Sequence, residues 1–135
     1  MIGILLIAHD TLPQSLLHTV AHVLGAAPPH LDGMSVAARD DPLDLLPVAR
    51  RHLARLDTGH GVLLISDLYG ASPSNLAVKL LDPPRVDGVA GASLPMLIRA
   101  LTYRDRDMAT LVKKALSGAR DGALHLEPLH AAARG

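Results

Sequence analysis

The 135-residue chain has no cysteine. Disulfides and thiolate chemistry are thereby excluded, and a reducing compartment suits it. It also has no phenylalanine and no tryptophan, and its only tyrosines are Tyr69 and Tyr103. Aliphatic side chains must build the core, and the stacking platforms of a single-strand nucleic-acid binder are missing. Charge of one sign is lacking too. Thirteen Lys and Arg balance thirteen Asp and Glu, which leaves no electrostatic footprint for DNA or an anionic membrane. No apolar run approaches the roughly 20 residues of a membrane span. The apolar start has no basic segment ahead of it, unlike a secretory signal. The expectation is a cytoplasmic protein with no nucleic-acid partner and no direct membrane insertion. No linker, repeat or low-complexity tract divides the chain, and its length suits one domain with a real core.

What is present is organised around the opening stretch IGILLIAHD, residues 2–10. An aliphatic run of this kind reads as a strand buried on both faces. A helix over 11–24 follows, with Pro13 in its first turn and Gly25 as its stop. Its apolar positions Leu16, Leu17, Val20, Val23 and Leu24 fall in one arc at about 100° per residue. A weaker strand signal covers 31–37. The next helix, 41–56, has Asp41 as cap and Pro42 in its first turn, and Pro47 predicts a kink or a delayed start. GVLLISD, residues 61–67, repeats the opening architecture: a buried run ending in an acid. Ser72 reads as the cap and Pro73 as the first residue of a helix reaching Leu81. A short strand over 86–90, a helix over 96–103 and a helix from 107 to 116, stopped by Gly118, complete the pattern. Residues 123–126 read as a short last strand and the tail from Leu129 as mobile, so the domain is expected over 1–128 and the tail over 129–135. Strands alternating with helices predict an α/β fold, an open, mostly parallel sheet with helices on both faces.

In such sheets ligands bind beyond the carboxyl ends of the strands, where strand order reverses. The two strongest strands end in His9 and Asp67. A histidine acting as nucleophile needs one ring nitrogen free and the other holding the proton, and a carboxylate on the protonated nitrogen fixes that tautomer. Asp67 suits this role, with Asp10 a second candidate. Gly70, Ala71 and Ser72 offer backbone N–H groups and a hydroxyl at a helix N-terminus, a suitable place for phosphoryl oxygens. Together these describe a phosphohistidine site that needs no metal or other cofactor. His18 and His22 have i, i+4 spacing but no third ligand, so they read as a solvated pair. His30, His52, His60, His125 and His130 read as surface residues. Two readings of the same residues remain beside the phosphohistidine site. One is a flavodoxin-like module that binds a small molecule without a covalent intermediate. The other is a receiver-type domain phosphorylated on Asp67, for which the paired acids after strand one and a late Lys are missing.

ILLIAH (4–9), LDTGHGVLLISDLYGASPSN (56–75) and GASLPMLIRAL (91–101) carry a family pattern. The chain resembles the IIA components of the mannose/fructose-class bacterial sugar phosphotransferase system, collinearly over residues 1–126. The resemblance implies that His9 carries a phosphoryl group received from the phosphocarrier protein HPr and passed to a IIB partner. It implies that Asp67 orients the imidazole so that Nε2 is phosphorylated, and that the sheet has four parallel strands plus an antiparallel edge strand in a homodimer. The phosphotransfer subunit of a dihydroxyacetone kinase is a near variant. Three places depart from the pattern. Ala8-His9-Asp10 stands for Thr-His-Gly, Tyr69-Gly70-Ala71-Ser72-Pro73 for Trp-Gly-Gly-Ser-Pro, and Ser93 for Asn. The extra carboxylate of Asp10 is expected to turn away from the site or to cap the first helix.

Overall fold

The structure is a computed structural model that describes residues 1–129. In chain order its elements are β1 (Gly3–His9), α1 (Leu12–Leu24), β2 (Leu31–Val36), α2 (Pro42–Leu56), β3 (Val62–Ser66), α3 (Ser72–Leu80), β4 (Val86–Ala90), α4 (Leu94–Tyr103) and α5 (Met108–Asp121). The four strands form one sheet in the order β2-β1-β3-β4, and all of its pairings are parallel. β1 and β3 are the central strands, which is why they are the continuous aliphatic runs: both faces of each are covered.

The strand period of two divides these runs between two cores. Ile4 and Leu6 of β1, with Leu63 and Ile65 of β3, pack with Val20, Leu97 and Leu111 under α1, α4 and α5. Leu5 and Ile7, with Val62 and Leu64, pack with Ala49, Leu56, Leu76 and Leu80 under α2 and α3. With no phenylalanine or tryptophan in the chain, aliphatics and methionines fill both layers.

α2 starts at Pro42, not later. Asp41 caps it by accepting the Leu43 N–H at 3.0 Å, and Pro47 lies inside without ending it. The loop before β3 is held by Asp57. Its carboxylate accepts the N–H groups of Gly59 at 2.8 Å and Gly61 at 3.0 Å, and the Arg85 Nε–H at 3.2 Å. The Gly59 and Gly61 N–H groups, and then Arg85, hold that carboxyl below its ordinary range against the opposing effect of burial.

Two expectations fail near the C-terminus. α5 runs through Gly118 to Asp121. A Cβ at Gly118 would lie 2.9 Å from the Arg99 Cβ and 2.9 Å from the Pro95 carbonyl oxygen. The missing side chain lets α4 and α5 close on each other, and that packing outweighs the weak helix propensity of glycine. The short last strand does not form. Residues 123–128 join no sheet and no helix, and no antiparallel strand belongs to the sheet among the described residues. A strand exists only where a neighbour completes its hydrogen bonds, and this segment has none among the described residues. Of the tail beginning at Leu129, residues 130–135, His130 included, lie outside the described residues.

Candidate active site

From β1 the chain crosses to β2 on one side of the sheet and returns as β3 on the other, so strand order reverses between β1 and β3. Connecting loops diverge at such a point, which leaves the carboxyl ends of the two strands open. The parallel register sets Ile7 beside Ser66. His9, the last residue of β1, and Asp67, directly after β3, are therefore delivered to the same place.

Asp67 Oδ2 lies 2.6 Å from His9 Nδ1 and accepts the His9 backbone N–H at 2.9 Å. Its Oδ1 accepts the Leu68 N–H at 2.9 Å. The carboxylate is thus gripped at both oxygens. The Asp67 side chain is 10% exposed, whereas that of His9 is 44% exposed. Burial is the largest single influence on the Asp67 carboxyl and pushes its pKa up. The His9 backbone N–H, the His9 ring and its charge together outweigh burial and hold the pKa below the ordinary value. A carboxylate against Nδ1 keeps a proton on that nitrogen and leaves the lone pair on Nε2. The arrangement is that of an oriented nucleophile.

The turn after Asp67 shares this rim. Gly70 has a φ of +84°, which glycine adopts without strain. The Ala71 N–H donates to the Leu68 carbonyl at 3.2 Å, and the Ala71 carbonyl accepts the Asn75 N–H at 2.9 Å. That second bond opens α3 one residue earlier than the sequence pattern indicates. Ala71 is the cap, Ser72 the first helical residue and Pro73 the second, and no side chain caps the helix. The Ser72 hydroxyl is therefore not spent on capping, and Ser72 is exposed. Among the described residues the Gly70 and Ser72 N–H groups have no main-chain acceptor, while the Ala71 N–H is turned inward. His9 and Asp67 touch. The 70–72 turn stands on the same rim without bonding to either.

Asp10 does not cap α1. Thr11 occupies the cap position and makes no side-chain bond there. Asp10 is exposed and its backbone is left-handed, with a φ of +48°.

Leu12, Leu43, Leu68 and Tyr69 stand exposed in segments that follow the carboxyl ends of β1, β2 and β3. The sequence pattern does not single them out. Its one signal is a pair of bulky residues, Leu68-Tyr69, where a polar turn is expected. Cavities of about 590 Å³ around Arg50, Asp57 and Arg85, and of about 210 Å³ around Ser66 and Ser74, include neither His9 nor Asp67. With its side chain 44% exposed, His9 sits on an open rim, a form that suits a macromolecular partner better than an enclosed small molecule. His18 and His22 are exposed. His52 is half-buried instead of a surface residue, with Nδ1 3.2 Å from Asp32 Oδ2 and 2.8 Å from Arg55 Nη2.

The family described as PTS system fructose IIA component matches residues 3–116. The PTS system mannose-specific EIIAB component of Escherichia coli (strain K12) is 31% identical over 137 aligned positions, which cover 98% of this chain and 42% of that protein. The chain therefore spans less than half the length of this curated relative. Among solved structures, phosphotransferase system component EIIA from Streptococcus agalactiae superimposes with a TM-score of 0.81 at 22% identity, covering 93% of this chain and 97% of that one. The mannose/sorbose specific IIA subunit of the phosphotransferase system from Enterococcus faecalis gives 0.82 at 19% identity, covering 94% and 96%. At these identities the structural likeness speaks for the fold.

Proposed function

The chain belongs to the family of PTS system fructose IIA components, and from that premise we propose that it is a cytoplasmic phosphocarrier whose His9 takes a phosphoryl group from phospho-HPr and hands it to a IIB-type partner. The observation that carries this reading is the 2.6 Å contact between Asp67 Oδ2 and His9 Nδ1. The phosphoryl group passes in line to Nε2 as the donor nitrogen leaves. Asp67 keeps the Nδ1 proton in place and balances the positive charge that develops on the ring. Gly70, Ala71 and Ser72 receive the phosphoryl oxygens, with the Gly70 and Ser72 N–H groups and the Ser72 hydroxyl as the donors not already engaged. The transfer runs between protein imidazoles, so it involves no metal or nucleotide. No helix among the described residues is long and apolar enough to cross a membrane, and in this reading the chain meets any membrane step only through its partners.

Incubation with phosphoenolpyruvate, enzyme I and HPr tests it. One acid-labile, base-stable phosphoryl group per chain is expected, placed on Nε2 of His9 by NMR. No labelling of the wild-type chain, or a stable acyl phosphate on Asp67, sinks the reading.

The working form in this proposal is a homodimer. Leu124 and Leu126 alternate along residues 123–128 and are 79% and 90% exposed. β4 is an outer strand whose outer edge pairs with Asp82 at Val86 and is open beyond it. An exposed apolar segment and an open edge of one sheet are complementary when supplied by two copies. Light scattering is expected to give twice the chain mass, and Leu124→Asp with Leu126→Asp to give monomer. A monomeric wild-type chain overturns this part.

A further inference from the structure

Asp10 directly follows His9, and its backbone has a φ of +48°. Glycine enters this region freely, whereas a residue with a Cβ does so at a cost. The Asp10 N–H is engaged, donating to the Val36 carbonyl at 3.1 Å. Its carboxylate is exposed and, among the described residues, makes no hydrogen bond or ion pair. Three other carboxylates at this end of the sheet are occupied. Asp67 holds His9, Asp40 accepts the Ala37 N–H at 2.8 Å, and Asp41 accepts the Leu43 N–H at 3.0 Å. Asp10 thus adopts a backbone that Asp and Asn accept more readily than other residues with a Cβ, and among the described residues its carboxylate receives no contact.

Electrostatics sharpens the point. A phosphoryl group brings about two negative charges; Asp67 bonds the nucleophile's ring, and the residue that follows the nucleophile in the chain carries a second, exposed carboxylate. Unopposed, Asp10 repels the incoming group. We infer that Asp10 is a specificity-determining residue for exchange at His9, pairing with a Lys or Arg side chain that a protein donor presents beside its own phosphohistidine. That cation meets the phosphoryl oxygens on one side and Asp10 on the other, so the repulsion becomes a requirement for the right partner. Exposed Leu12, Leu68 and Tyr69 extend the contact and exclude water from the pair. In the transfer itself the P–N bond to the donor imidazole breaks as the bond to His9 Nε2 forms. The donor ring leaves with the electron pair, and the Nδ1 proton of His9 stays facing Asp67. Asp10 takes no part in these bonds.

This inference rests on the proposed role of His9, and the test separates the two. Wild-type chain, Asp10→Asn and Asp10→Lys are compared with phospho-HPr as donor at about 20 mM and about 500 mM salt. Potassium phosphoramidate serves as a parallel small-molecule donor. Asparagine tolerates the left-handed backbone, so Asp10→Asn removes charge and little else. For phospho-HPr at low salt, KM is expected to rise about three- to tenfold in Asp10→Asn and further in Asp10→Lys, with kcat within about twofold and the gap closing at high salt. With phosphoramidate both variants are expected to react faster than wild type, because a like charge is gone. An unchanged KM in a chain that still accepts from phospho-HPr overturns this inference and leaves the His9 reading standing. An equal loss with both donors also overturns it, because Asp10 then acts on His9 itself. No acceptance by the wild-type chain overturns both.

Discussion

Asp67→Asn will slow phosphoryl acceptance by about 10²-fold or more while leaving the fold in place. Asp67 Oδ2 accepts two donors from His9, the backbone N–H and Nδ1–H, and Oδ1 accepts the Leu68 N–H. An asparagine cannot reproduce this. If its oxygen faces His9, the tautomer survives, but the charge that balances a phosphorylated ring is gone and the amide nitrogen meets the Leu68 N–H. If its nitrogen faces His9, it donates to Nδ1 and drives the proton to Nε2, the nitrogen that attacks in the proposed transfer. Stopped-flow transfer from phospho-HPr gives the rate, and ¹⁵N chemical shifts of the His9 ring give the tautomer. Transfer at the wild-type rate with an unchanged tautomer removes Asp67 from the mechanism. The depressed carboxyl pKa fixes the pH behaviour. Asp67 lies below its ordinary value of 3.8, so it is ionised throughout pH 5–8, about one unit and more above that value. Any slope in the transfer rate across that range therefore belongs to another group, and Asp67→Asn is expected to keep the slope while lowering the whole profile.

Residues that lie in the middle of a parallel sheet are legible because both faces demand the same chemistry. GILLIAH and VLLIS have no polar side to alternate with, so β1 and β3 stand out. The ends of those runs are legible for the same reason, and that is where His9 and Asp67 occur. That the two strands are neighbours is not written in either segment. It depends on pairings such as Ile7 with Ser66, between residues 59 apart in the chain, which local pattern does not encode.

The misses arise where a local rule is overruled by another contact or lacks the one it needs. Gly118 has the look of a helix stop, but Pro95 and Arg99 of α4 occupy the space where its Cβ would be. Ser72 before Pro73 has the look of a cap, but the Ala71 carbonyl already closes the turn on Asn75. His52 has the look of a surface residue, but Asp32 of β2 lies across from it. Leu124 and Leu126 alternate as strand residues do, and what they lack is a neighbouring strand among the described residues. Asp10 shows the opposite case. Its position after a buried strand is plain, while its left-handed backbone emerges only once β1, β2 and α1 are joined.

His9→Ala will abolish the phosphoryl adduct, and it will do so without unfolding the chain. No nearby group can take over. The Ser72 hydroxyl on the same rim has no base to activate it, and the Asp67 carboxylate, gripped by N–H groups at both oxygens, is a poor nucleophile. The structural loss is small by comparison. Asp67 forfeits its bond to the ring but keeps the backbone N–H groups of residues 9 and 68. About 1 kcal/mol is expected from one lost hydrogen bond of this kind, or a fall of about 2–5 °C in Tm for a domain of this size. The acid response follows in sign. The imidazole helps to hold the Asp67 carboxyl below 3.8, so the stability it lends is fully present well above that value and is lost as pH falls through the depressed pKa. Without the ring, burial is opposed by fewer partners and the carboxyl moves back upward. The stability gap between wild type and His9→Ala is therefore expected to be widest near neutral pH and to close below about pH 4. Urea denaturation at pH 7 and at about pH 3 measures it. An adduct that survives His9→Ala, with the protein folded by the same denaturation curve, moves the phosphorylated residue elsewhere in the chain.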